Sequence, residues 1–126
     1  MKIVYIAHPI GRDQWQKTIN LGNIKRIVRE INLSQPDIVP FVPYYCDCEA
    51  LRDDVPQERT KGLKNGQALL KSCPIHELWL YGDKISEGMQ EEIKTAFILG
   101  IPVVPKTGQT QEAYRDIYYK EIQGKF

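Results

Sequence analysis

Two adjacent carboxylates, Glu91 and Glu92, follow the glycine-containing loop Tyr81-Gly82-Asp83-Lys84-Ile85 in this 126-residue chain. Ser86 is a good helix N-cap, since its hydroxyl can accept from the unpaired N–H groups of the first turn. Gly100 followed by Ile101-Pro102 ends the same helix. A helix mouth behind a glycine loop attracts anions, because its N–H groups are unpaired and the macrodipole is positive there. Helical spacing separates the two glutamates. Met89, Ile93, Ala96, Phe97 and Gly100 form one apolar stripe. Glu91 points roughly opposite it, and Glu92 lies roughly 85° from its centre, on the side of Gly88, Ala96 and Leu99. Glu91 is expected to be solvated and Glu92 half-buried. The structural alternative for Glu92 is a boundary carboxylate paired with a lysine.

Other residues suggest further chemistry. Arg12 and Ser86 can hold an anion such as a 5′-phosphate, and the Ser86–Met89 turn would receive it. Gly88 beside Ser86 lets a phosphate approach the backbone closely. His8 could serve as base, ligand or site wall. Asn20 and Asn23 could face a crevice, or be exposed helix polar groups. Tyr44, Tyr45 and Trp15 could stack a base. Cys46-Asp47-Cys48 could be half a metal site completed by His8 or His76. The spacing is wrong for a zinc knuckle, so incidental thiols and no metal are expected.

The elements that must position these groups alternate. Residues 3–7 read as a buried strand, 14–33 as a helix, and 39–42 as a proline-limited edge strand. Residues 44–55 read as the longest irregular stretch. A helix follows over 56–72, a strand over 77–81, the Ser86–Gly100 helix, a strand at 103–104 and a helix over 109–122. This order predicts a single α/β domain over 1–126, a doubly wound parallel sheet of four to five strands, Rossmann-like or flavodoxin-like. The first strand should lie beside the third at a switch point, with ligands at the strands' carboxyl ends. The crevice would then be lined by Tyr5, His8, Arg12, Gly82, Ser86, Gly88 and Glu92.

The ordered set Tyr5, Ala7-x-Pro9, Ser86-x-Gly88-x-x-x-Glu92-Ile93-x-x-Ala96 and Gly100-x-Pro102-Val103 resembles the nucleoside 2-deoxyribosyltransferase superfamily. The likeness is closest to small, often phage-encoded members of unassigned function, from Met1 to about Val104. It implies that Glu92 is the nucleophile taking the sugar C1′, with Tyr5 contacting it. Serine at position 86 is similar to the hydrolases of deoxynucleoside 5′-monophosphates, whereas the transferases of free nucleosides usually place an aspartate there. The resemblance implies no metal or organic cofactor. It also implies a homodimer or larger assembly, because relatives complete the crevice with a neighbour's C-terminal segment. The chain departs from the pattern where an aspartate before the third strand usually handles the base. Here Lys64-Asn65-Gly66-Gln67 has no carboxylate, and Asp53 or Asp54 could substitute. His76 stands where relatives tend to have Asp.

Composition sets the outer bounds. A net charge of +1 offers no basic field for nucleic acid. No apolar run approaches the roughly 20 residues that span a bilayer. The apolar start is too short for a secretory signal, so a cytoplasmic location is expected. Two functions follow. One is cleavage or exchange of the N-glycosidic bond of a nucleoside or nucleoside 5′-monophosphate through a glycosyl-glutamate. The other is a non-catalytic module that senses or sequesters a nucleotide or sugar-nucleotide signal.

Overall fold

The β-branched, apolar run after Met1 forms β1 (Lys2–Ala7), and Val4 to Ala7 are all buried. A strand apolar on successive residues must be covered on both faces. Tyr5 and Ala7 join one core layer, with Leu78, Leu80, Leu70, Met89, Ile93 and Ala96. Val4 and Ile6 join the other, with Trp79 and Ile31. The computed structural model, which describes residues 1–123, shows how this is achieved. A four-stranded, all-parallel sheet runs in the order β2-β1-β3-β4. Here β2 is Ile38–Phe41, β3 is Glu77–Leu80 and β4 is Val103–Pro105. The helices are α1 (Gln14–Ser34), α2 (Tyr45–Ala50), α3 (Pro56–Ser72), α4 (Glu87–Leu99) and α5 (Gly108–Gln123). This is the expected doubly wound, Rossmann-like or flavodoxin-like arrangement.

The register pairs Ala7 with Leu80, so β1 and β3 end side by side at the switch point. Pro40 is tolerated because β2 is an edge strand with one side unpaired. Asp13 caps α1 by accepting from the Gln16 N–H at 2.8 Å. Pro56 opens α3, where its missing N–H costs nothing. Ser86 caps α4, and Gly100 ends it at φ 71°, a left-handed conformation that favours glycine.

One expectation needs correction. Residues 44–55 are not wholly irregular, since they contain α2, closed by the Cys48 N–H on the Tyr44 carbonyl and the Leu51 N–H on the Asp47 carbonyl. On α1, Ile19 is 47% exposed while Lys17 is buried. The Lys17 ammonium turns inward because the Asp53 carboxylate lies at 3.2 Å and the Leu51 carbonyl at 3.4 Å. Among the described residues, no helix is long and apolar enough to cross a membrane.

Candidate functional site

Glu92 sits on α4 one turn before buried Thr95, on the side turned towards α3. The Thr95 hydroxyl donates to Gln67 Oε1 at 2.8 Å and ties the two helices together. Beneath them lies Tyr5, fully buried, its hydroxyl on the side of the Glu92 carboxylate and close enough to act on its charge. Gly66 on α3 faces that hydroxyl, and a β-carbon there would stand 4.0 Å from it, an ordinary contact. Burial pushes the Glu92 carboxyl up to about 7, while the Tyr5 contact pulls the other way. Glu92 keeps part of its surface open although its carboxylate is enclosed by protein. Glu91 is exposed and meets Lys94 at 3.5 Å.

The loops after β1 and β3 touch at the switch point. His8 is buried, and its Nδ1–H donates to the Pro9 carbonyl at 2.7 Å, since a carbonyl can only accept. Burial lowers the imidazole pKa against the opposing pulls of the Pro9 carbonyl and Asp83. His8 is thus a neutral ring whose Nε2 lies on the Gly82 side. Gly82 has φ +96°, and a β-carbon there would fall 2.5 Å from Pro9 Cδ, so no side chain fits without movement. Thr107 in the loop after β4 and Thr110 in the first turn of α5 hold this junction. The Thr107 hydroxyl donates to the Gly82 carbonyl at 2.7 Å, and the buried Thr110 hydroxyl donates to the Leu80 carbonyl at 3.2 Å. Sequence reasoning missed both, and a threonine pair just after a strand end was the signal available.

At the mouth of α4, Ser86 Oγ accepts from the Met89 N–H at 3.3 Å. Gly88 stands beside it, its β-carbon position 4.0 Å from Ser86 Oγ. Arg12 is exposed and lines a different feature, a cleft of about 850 Å³ between α1 and the 45–54 segment. Lys17, Tyr45, Cys48, Asp53 and Asp54 share that cleft; Glu92, Tyr5 and Ser86 do not. Cys48 lines the cleft with Lys17 and Asp53, and burial pushes its thiol up to about 11.

The two carboxylates suggested as base-handling acids are both ion-paired. Asp53 pairs with Lys17. Asp54 pairs with Arg52 at 2.9 Å on the surface, and that guanidinium pulls its carboxyl below the usual range. An exposed, paired carboxylate is ionised near neutrality and has no proton to give. Along α3, Asn65 Nδ2 donates to Asp47 at 3.1 Å, which makes Asp47 on α2 the carboxylate nearest this stretch by direct contact. His76 lies at the opposite end of the sheet, where its Nδ1 accepts from the Ile3 N–H at 2.9 Å. Trp15 is 76% exposed, and Tyr44 points inward rather than into the crevice as a stacking surface. Asn20 donates to the Ile10 carbonyl at 2.8 Å and so braces the β1–α1 loop. Among the described residues, no group of His, Cys, Asp and Glu side chains is arranged to hold a metal ion.

A family model described as a domain of unknown function (DUF7768) matches residues 2–106, from β1 through β4. No curated protein matches the chain.

Proposed function

The chain belongs to the DUF7768 family, and from the Glu92–Tyr5 pair and the α4 mouth we propose that it cleaves or exchanges the N-glycosidic bond of a nucleoside or nucleoside 5′-monophosphate. The observation that carries this reading is the enclosed Glu92 carboxylate backed by the Tyr5 hydroxyl. A carboxylate stripped of water is a stronger nucleophile, and its charge suits the positive character that develops at C1′. In the first step, Glu92 forms a bond to C1′ as the C1′–N bond breaks and its electron pair leaves with the base. In the second, water or another base attacks C1′ and releases the glutamate. Tyr5 keeps Glu92 aimed and favours its ionised form. The α4 mouth, with Ser86 and Gly88, would receive a 5′-phosphate.

No carboxylic acid approaches the base from residues 64–67, and Asp54 is ionised on the surface. Turnover should therefore be fastest with bases that depart without prior protonation, such as a purine carrying a positive charge from N-methylation. The same reading implies a cytoplasmic nucleotide pool as source and a homo-oligomer as the working form. It uses no metal or organic cofactor.

The test is a panel of nucleosides and nucleotides, with and without an acceptor base, read by chromatography for released base. Glu92→Gln should lower turnover by orders of magnitude with ligand binding kept, because an amide preserves the shape without the anionic nucleophile. Glu91→Gln should leave both unchanged. Equal, small effects of the two substitutions would remove Glu92 as nucleophile. The paired state of Asp53 and Asp54 favours a second reading, a nucleotide-binding module without turnover. That reading predicts binding by calorimetry and no released base from any variant.

A further inference from the structure

Tyr44 follows Val42 and Pro43 in the loop after β2 and is the N-cap residue of α2. In a parallel ladder, successive residues turn their backbone groups to opposite neighbours. The Ile3 and Ala7 carbonyls accept from His76 and Tyr81 on the β3 side, so the Ile6 carbonyl turns towards β2. The last pair on that side is Tyr5 with Phe41. Continuing the register brings residue 43 to the Ile6 carbonyl, and a proline has no N–H to offer. The Tyr44 hydroxyl donates to that carbonyl instead. Its ring thereby lies against Tyr5, with centroids 5.9 Å apart and planes inclined by 43°. Phe41 meets Tyr5 at 6.1 Å with the rings at 90°. Tyr5 thus lies between the two rings.

We propose that Tyr44 is a positioning residue, which replaces the ladder bond that Pro43 cannot make and so fixes the ring of Tyr5 and, through it, the Glu92 carboxylate. It acts through Tyr5 rather than on substrate. The inference deepens the reading of Glu92 as a nucleophile, but its test requires no turnover. The groups facing Glu92 and Tyr5 are Tyr44 from the loop after β2 and Cys48 from α2; Glu92 itself comes from α4.

The experiment is a double-mutant cycle read by carbon NMR of glutamate carboxyls, with Glu92 assigned from Glu92→Gln. Tyr5→Phe should raise the Glu92 titration midpoint, since the Tyr5 contact lowers it. Tyr44→Phe should raise it in the same direction, by about half a pH unit or more. The pair together should shift it no further than Tyr5→Phe alone, which is the signature of one residue acting through the other. Tyr119→Phe, exposed and remote on α5, should shift nothing. Should Tyr44→Phe unfold, Pro43→Ala/Tyr44→Phe regains a backbone donor for the Ile6 carbonyl and carries the same measurement. Additive shifts, or no shift with Tyr44→Phe, would overturn the proposal whatever the turnover. A confirmed cycle without turnover in any substrate panel would instead refute the enzymatic reading alone.

Discussion

Glu92→Gln should stabilise the fold, and by an amount that depends on pH. Carrying the carboxyl from 4.5 to about 7 makes its ionised form about 3 kcal/mol less favourable in the folded chain, at about 1.4 kcal/mol per pH unit. The folded-state value is raised, so the folded chain holds the proton more tightly than the unfolded one. Stability from this group is fully present below 4.5 and is lost as pH rises through about 7. Glutamine does not titrate, and its amide oxygen can still accept from Tyr5. The variant should therefore match the parent to within the amide exchange itself at about pH 4, and exceed it by up to about 3 kcal/mol at about pH 8. In a domain of this size that is a rise in Tm on the order of 10 °C. Urea unfolding of both proteins across this range measures it. A difference independent of pH would refute the reasoning, because it would mean that Glu92 does not ionise against its surroundings.

Three further outcomes follow. If the enzymatic reading holds, kcat/KM should climb with pH through about 7 as Glu92 ionises; a rate flat across that interval counts against Glu92 as the nucleophile. Lys17→Met should cost about 2 kcal/mol by urea unfolding, between the values for surface and fully buried pairs, because it strands the half-buried Asp53 carboxylate; Lys17→Met/Asp53→Leu should recover most of it, and a neutral single substitution would show that the pair contributes nothing. Gly82→Ala should cost about 1–3 kcal/mol, since the methyl would meet Pro9 Cδ at 2.5 Å in a backbone of positive φ; unchanged unfolding would mean the two loops separate readily.

The parts of this chain that were legible carry their cause within a few residues. Ser86 and Gly100 bound α4 because a hydroxyl can accept from the first turn and a glycine can turn left-handed. Glu92 falls on the edge of an apolar stripe, so periodicity alone half-buries it. The apolar run before His8 has to be a central strand. Where the cause lies at a distance, the sequence misleads. Helical spacing puts position 17 on the buried face with Leu21, Ile24 and Ile31, but a lysine there needs a partner, and Asp53, arriving from beyond α2, is not marked by any local pattern. α2 itself has no buried residue and too few turns to show a stripe, so nothing local marked it.

Tyr44 shows the same limit at the site. Beside Tyr45 and the cysteines it reads as an aromatic in a loop, suited to stacking on a base. Its true partner is a carbonyl on β1, and the reason it is needed there is Pro43, visible in the sequence as a strand stop but not as a missing donor. Once the register is known, the proline explains the tyrosine, whose ring then packs against Tyr5. The carboxylate was legible because helical geometry is local. The grip that aims its partner was not, because it depends on which carbonyl the sheet leaves unpaired.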